Sequence, residues 1–292
     1  MTAPDQQHRS IWLHLYDVPF ELRWVDVGGI RTRLLHAGES AKPALIMLHG
    51  TGGSLDSFCA NIGPLSRHFD CYAFDLVGSG LSDKPDHDYE IAHYVEHVRR
   101  FMATLGIPRA FFLTVSLGSW ITARLAIEHP ALVQGAVMLA ASGLKTDARV
   151  SAEIRRARKQ AVEDPTWANV KAIFSELIFS ERNRVDDLVA IRQALYRQPG
   201  MKKTIDHILC LQDPAIRARN LIDEEDWRRI EAPILVVGSL EDEELFLSTS
   251  RTIAKLIPNG TYVEMSEVGH WAHFEKPDEI NRIVVDFAKG TG

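Results

Sequence analysis

Short apolar runs alternate with helix-length segments along most of this chain, and that alternation limits the possible folds more than any other feature. A run of about four to eight apolar residues has the length of a buried strand. Because parallel strands are joined by long crossovers, usually helices, the alternation predicts an α/β chain with a mostly parallel sheet and helices on both faces. The predicted strands are 44–48, 71–74, 110–115, 133–140, 233–237 and 261–265, after a hairpin over 24–37 that turns at Gly28-Gly29.

The alternation stops between about residues 145 and 226. Charged, helix-favouring stretches replace the apolar runs there, and no strand pattern is obvious. We therefore expect residues 145–226 to form an inserted helical cap, and residues 1–144 and 227–292 to form one core domain. The helices predicted in the cap are 153–161, 169–178 and 185–197.

Ser116 directly follows a predicted strand, within Thr114-Val115-Ser116-Leu117-Gly118. A serine that projects from a tight strand-to-helix turn is typical of a catalytic nucleophile, and the turn requires small residues two positions before and after it. Gly118 meets this requirement, whereas Thr114 replaces the usual first glycine. The pattern predicts a nucleophile, with a helix N-cap serine as the alternative.

A histidine and two acids follow other predicted strands. His270 comes after the last strand, and Glu241 and Asp242 come after the strand before it. Because the carboxyl ends of parallel strands meet at one edge of a sheet, we expect a triad in which His270 activates Ser116 and an acid orients the imidazole. Asp242 is favoured because 28 residues separate it from His270, enough for one helix and one strand, and Glu241 stays open. His273 is expected to be a packing residue.

The glycine-rich loop 49–53 follows the first apolar strand. An acyl-transfer site needs amide groups that bind the oxyanion, and we expect these to come from Thr51 in this loop and from Leu117 after the nucleophile. Gly50 is expected to lie against the substrate. The alternative for the loop is a purely structural glycine turn.

These motifs together resemble the α/β-hydrolase superfamily over about residues 26–287. The resemblance implies the α/β-hydrolase fold and a serine hydrolase. It excludes the dehalogenase and epoxide-hydrolase branches, which use an aspartate where this chain has Ser116. The motifs are the His-Gly loop, Asp75-x-x-Gly78-x-Gly80-x-Ser82, the serine turn, the acid pair and Gly269-His270-Trp271.

Two further features resemble the meta-cleavage-product hydrolases, which cut a carbon–carbon bond in ring-opened aromatic catabolites of the 2-hydroxy-6-oxo-dienoate type. One is Trp271 directly after the histidine, and the other is the segment 185–192. The resemblance implies that Arg192 binds the dienoate carboxylate, a role suited to a guanidinium fork, and that Trp271 contacts the substrate. The alternatives are a solvated cap arginine and a packing tryptophan.

Other activities stay open because Val115 stands where that subgroup carries Asn, and Ser119 where it carries a second glycine. A carboxylesterase or lactonase would use the same triad. A lyase or oxygenase that never acylates the serine, and a ligand receptor, are further alternatives on this fold.

Composition restricts the partners. The net charge is −6, with 33 basic and 39 acidic residues, which argues against nucleic-acid binding and leaves a small-molecule substrate. Three widely spaced cysteines indicate a reducing compartment. Met1 to Arg9 contain no apolar leader and no long apolar run follows, so we expect a cytoplasmic protein without membrane contact. No cofactor or metal is expected, and a homo-oligomer is left open.

Overall fold

This computed structural model describes residues 9–291. The eight strands of that part of the chain form one sheet. Met1–His8 and Gly292 lie outside the described residues. The expected absence of an apolar leader concerns the first of these two segments. The strands are β1 (Glu21–Val27), β2 (Ile30–Ala37), β3 (Ala44–Leu48), β4 (Asp70–Phe74), β5 (Ala110–Val115), β6 (Val133–Leu139), β7 (Ile234–Ser239) and β8 (Gly260–Met265).

The strand order across the sheet is β1-β2-β4-β3-β5-β6-β7-β8. β1 and β2 form an antiparallel hairpin, and β2 also runs antiparallel to β4. All pairs from β4 to β8 are parallel. The hairpin turns at Gly28 and Gly29, whose φ angles of 62° and 90° disfavour other residues. The predicted mostly parallel sheet is confirmed.

Helices flank this sheet. They are α1 (Cys59–Ser66), α2 (Ile91–Leu105), α3 (Leu117–Glu128), α4 (Ala148–Glu163), α5 (Trp167–Leu177), α6 (Asp186–Tyr196), α7 (Met201–Ile208), α8 (Pro214–Asn220), α9 (Glu224–Arg228), α10 (Glu244–Leu256), α11 (Ala272–Glu275) and α12 (Pro277–Gly290). Outside the interval 145–226, α1 packs on α12, α2 on α3, and α10 on β7 and β8.

Helices α4 to α9 fill the interval between β6 and β7, where the sequence predicts a helical insertion. The predicted helices correspond to α4, α5 and α6, and α4 begins earlier because the Asp147 side chain accepts hydrogen bonds from the amides of Arg149 and Val150. Helices α7, α8 and α9 were not predicted. The division of the chain into core and cap stays a prediction.

Within residues 9–291, no helix is long and apolar enough to cross a bilayer. The three cysteines are buried free thiols. Burial raises the pKa of Cys59 to about 12, so this thiol is protonated at neutral pH.

Candidate active site

Ser116 occupies the tight turn between β5 and α3. Its φ and ψ are 55° and −112°, a strained conformation for a residue with a side chain. The turn is fixed by a 2.9 Å hydrogen bond from the Ser116 amide to the Leu139 carbonyl. A Cβ at Gly118 would lie 2.4 Å from the Leu48 carbonyl oxygen, so glycine is required for α3 to approach β3 this closely.

The two residues that depart from the usual glycines of this turn contact each other. The hydroxyl oxygens of Thr114 and Ser119 are 3.3 Å apart, and both side chains are fully buried. Ser119 Oγ also lies 3.3 Å from the Leu139 carbonyl oxygen. The polar atoms of Thr114 and Ser119 are therefore satisfied inside the core of the fold.

His270 contacts Asp242 rather than Glu241. The His270 Nδ1 atom lies 2.9 Å and 3.1 Å from the two carboxylate oxygens of Asp242. A proton on Nδ1 leaves Nε2 as an acceptor, the tautomer that a general base needs. Glu241 instead accepts a 3.1 Å hydrogen bond from the Val268 amide, and the Phe246 ring packs 4.5 Å from the imidazole.

Ser116 and His270 line the same cavity, but no hydrogen bond joins their side chains in the structure. Catalytic hydrogen bonds commonly shorten only when substrate is bound. Thr51 lines this cavity, and Leu117 lines a smaller one beside it that also includes Ser116 and Thr51. The Thr51 and Leu117 amides donate no hydrogen bond to any residue between 9 and 291, so both can bind another acceptor.

A buried histidine fixes the glycine-rich loop. His49 Nδ1 donates to the Gly50 carbonyl (2.8 Å), and Nε2 accepts from the Leu76 amide (3.1 Å). Burial lowers the pKa of His49, so the neutral ring is favoured. A Cβ at Gly50 would lie 3.3 Å from the Cβ of Ser116. Gly50 therefore lets the loop pass closely beside Ser116.

Asp75 supports the loops around this site. Its buried carboxylate pairs with Arg33 at 2.7 Å and accepts 2.8 Å hydrogen bonds from the amides of Leu55 and Leu81. A Cβ at Gly80 would collide with the carboxylate, at 2.0 Å from Oδ2. These contacts give Asp75 and the loop that follows it a structural role.

Arg192 is a buried cation that faces the cavity. The cavity measures about 370 Å³, and Arg192 is only 3% exposed. Its guanidinium lies over the Phe174 and Tyr196 rings, 5.5 and 5.7 Å away, with one 3.5 Å contact to the Tyr196 hydroxyl. Arg192 forms no ion pair with a carboxylate in the described part of the chain, whereas Arg158 in the same cavity pairs with Glu176 at 2.9 Å. Because burying an unpaired charge is costly, an anionic group beside Arg192 would stabilise this guanidinium.

Trp271 combines packing with exposure to the cavity. Its ring makes an edge-to-face contact with Phe174 (5.6 Å, 86°), and its amide donates to the Leu177 carbonyl. The same residue lines the cavity beside His270. Both interpretations of Trp271 are therefore compatible with its position.

Glu275 supports the histidine loop, and the sequence analysis missed it. Its side chain is 8% exposed and accepts hydrogen bonds from the amides of Gly269 (2.7 Å), Phe179 (2.9 Å) and Ser180 (2.9 Å). The carboxylate thus joins the residue before His270 to the segment that follows α5. An acid five positions after the histidine gives no recognisable signal of this role.

The predicted site residues fall in two adjoining cavities. No group of three or more metal-binding side chains occurs in residues 9–291. The catalytic and binding roles of these residues stay predictions. The large cavity is lined by all the predicted site residues except Leu117, which lines the small one: Ser116, His270, Asp242, Thr51, Gly50, Arg192 and Trp271.

The sequence matches the family described as the alpha/beta hydrolase fold over residues 43–277. It is 28% identical over 273 residues to a 2-hydroxymuconate semialdehyde hydrolase of Pseudomonas putida, covering 91% of this chain and 93% of the relative. This relative bears out the resemblance to the meta-cleavage-product hydrolases and the prediction of a hydrolase.

Solved structures share the fold. A 2-hydroxy-6-oxo-6-phenylhexa-2,4-dienoate hydrolase from Rhodococcus sp. strain RHA1 superposes with a TM-score of 0.81 at 21% identity, over 93% of this chain and 99% of the other. A meta-cleavage product hydrolase from Pseudomonas fluorescens IP01 gives 0.81 at 22% identity, over 95% and 100%. At these identities the likeness shows the fold alone. The family match and the architecture agree, and the chain belongs to the α/β-hydrolase fold family.

Proposed function

We propose that this chain is a serine hydrolase that cleaves a carbon–carbon bond in a ring-opened aromatic catabolite of the 2-hydroxy-6-oxo-dienoate type. The observation that carries the proposal is the buried guanidinium of Arg192, which pairs with no carboxylate among residues 9–291 and lies in the same cavity as Ser116. Such a catabolite has a carboxylate at one end and a ketone further along. Arg192 binds the carboxylate and Ser116 attacks the ketone.

Ser116, His270 and Asp242 act as the triad in this proposal. Asp242 holds the imidazole in the Nδ1-protonated form and stabilises the imidazolium. His270 takes the Ser116 proton as Oγ attacks the carbonyl carbon. The amides of Thr51 and Leu117 bind the resulting oxyanion, and the dipole of α3 assists them.

Carbon–carbon cleavage needs an electron sink. The dienol is first ketonised, so that the electron pair of the breaking bond can move toward the oxo group beside the carboxylate. Arg192 stabilises the negative charge that develops there. The leaving carbon keeps the electron pair as a dienolate, which takes up the proton that His270 holds. The neutral His270 then activates a water molecule, which hydrolyses the acyl-serine ester to release a carboxylic acid.

The residues of this site come from both the proposed core and the proposed cap. Ser116 and His270 come from loops at the carboxyl ends of core strands, and Arg192 comes from α6 in the interval 145–226. A substrate bound as proposed therefore contacts both parts of the chain.

The test compares two classes of substrate. Absorbance measurements follow the bleaching of yellow ring-cleavage dienoates and, in parallel, the hydrolysis of a panel of p-nitrophenyl esters. The wild-type protein should bleach the dienoates. If esters are hydrolysed briskly while every dienoate stays coloured, the carbon–carbon assignment is wrong and an esterase or lactonase remains.

Arg192→Gln should reduce kcat/KM for dienoates by roughly 10- to 100-fold, because a hydrogen bond to a charged group contributes enough free energy to account for a loss of that size. Hydrolysis of neutral esters should change by less than about threefold, because no carboxylate is involved. Arg197→Gln is the matched control, since Arg197 lies five residues on and is exposed.

A further inference from the structure

A second, smaller cavity lies beside the proposed nucleophile. It shares Ser116, Thr51 and Phe246 with the lining of the large cavity. Leu117 lines only the small cavity. Its volume is about 20 Å³, room for roughly one water molecule or the end of a small polar group. This cavity is separate from the wall that carries Arg192, His270 and Trp271. The proposal above uses only its Thr51 and Leu117 amides and assigns no role to the residues on its other sides.

Arg217, on α8, lies in the wall of this cavity without a charge partner. It is 6% exposed and forms no ion pair with any described carboxylate. Among residues 9–291, its Nε has no hydrogen-bond partner, and its other nitrogens reach only the carbonyl oxygens of Leu211 and Lys145, both at 3.4 Å. Burial lowers the pKa of Arg217. The guanidinium is therefore desolvated and poorly compensated.

Two more residues in the wall of the same cavity carry a buried polar atom without a partner among residues 9–291. One is the indole Nε1 of Trp120, whose ring lies 5.1 Å from the Arg217 guanidinium, and the other is Oε1 of Gln212, which is 7% exposed. Native proteins leave few buried polar atoms unsatisfied, so three in one small cavity indicate a ligand position. The residues that line it include no Asp or Glu.

We propose that this cavity binds a second carboxylate, carried by the acyl half of the substrate, so that the protein acts on a short diacid. The proposal rests on the proposed function, because Ser116 lies between the Arg192 cavity and the Arg217 cavity. A carboxylate supplies acceptors for the Arg217 fork and the Trp120 N–H. The amide of Gln212 can turn its NH₂ group toward the same anion.

The size and polarity of this small cavity keep an aromatic or long alkyl acyl group out of it. An apolar occupant would leave Arg217 and Trp120 buried without partners, at the full desolvation cost of each group. Its volume admits only the end of a short chain. Hydrolysis of the acyl-Ser116 ester by one water then releases a dicarboxylic acid.

The test uses two ring-cleavage dienoates that differ only at the acyl end, one with a terminal carboxylate and one with a carboxamide. The wild type should prefer the carboxylate by about 10-fold or more in kcat/KM. Arg217→Gln should reduce that preference to within about threefold, and Arg217→Lys should retain an intermediate preference. The matched control is Arg219→Gln, because Arg219 is exposed on the same helix and pairs with Glu90.

A binding measurement separates this proposal from the proposed function. Calorimetric titration of Ser116→Ala protein should show glutarate binding at least about 10-fold more tightly than valerate, and adding Arg217→Gln should abolish the difference. This result would support the second carboxylate site even if no dienoate were turned over. Equal binding of the two acids, or a carboxylate preference that survives every Arg217 variant, overturns the proposal.

Discussion

Replacing Glu275 should destabilise the fold and impair the site together. The Glu275 carboxylate is buried and accepts hydrogen bonds from three backbone amides. One of them, Gly269, precedes His270, and the other two belong to the segment after α5. Glu275→Ala would leave all three N–H groups without their acceptor.

The size of the effect follows from these contacts. A hydrogen bond to a charged group contributes about 1.5–3 kcal/mol, so loss of all three should lower the free energy of unfolding by about 4–6 kcal/mol after partial rehydration of the amides. Glu275→Gln keeps one acceptor oxygen, which can still serve Gly269 and Phe179, but places an NH₂ group against the Ser180 amide. We therefore expect a loss of about 1–3 kcal/mol for this variant.

Urea unfolding followed by circular dichroism measures both losses. Glu163→Gln is the control, because Glu163 is exposed near the end of α4. In the folded Glu275→Gln protein, kcat for a p-nitrophenyl ester should also fall, since Gly269 positions His270. A loss of less than about 1 kcal/mol for Glu275→Ala would refute the proposed support.

Three further outcomes are expected. Asp242→Asn should lower kcat by roughly 10⁴-fold with little change in urea midpoint, because the wrong imidazole tautomer is favoured; unchanged ester turnover would contradict the triad. Gly118→Ala should fail to accumulate as folded protein, because its Cβ would meet a backbone carbonyl of β3, and a wild-type melting curve would contradict this. Hydrogen bonds to Asp88 and Asp86 raise the pKa of His207 above 6.5, so its stabilisation is complete at lower pH and is lost as pH rises through the raised pKa. The urea-midpoint advantage of wild type over His207→Gln should therefore shrink between about pH 5.5 and about pH 8.5.

The bounds of strands and helices with a clear local sequence pattern could be predicted to within a few residues. The buried strand 110–115 is a continuous apolar run, and its bounds match β5. The helix predicted over 169–178 is α5 (Trp167–Leu177), and the Thr166 side chain caps its start by accepting a hydrogen bond from the Asn169 amide. Short helices such as α7 span about two turns and carry too little periodic signal to be recognised.

Long-range side-chain contacts could not be read in this way. Glu275 and its partners Phe179 and Ser180 are more than 90 residues apart, and the burial of Arg217 depends on helices whose packing is not encoded locally. The spacing to His270 favours Asp242 over Glu241, but only the direction of each side chain shows which of the two acids contacts the imidazole. The sequence pattern could predict which loops meet at the sheet edge, but not which atoms touch.

Covalent labelling shows whether Ser116 is a reactive nucleophile, on which the proposed hydrolysis depends. Folded wild-type protein should gain the mass of one fluorophosphonate adduct, mapped by peptide mass spectrometry to Ser116, and Ser116→Ala protein of the same fold should gain none. Absence of labelling in the folded wild type, or equal labelling of Ser116→Ala, would contradict the account.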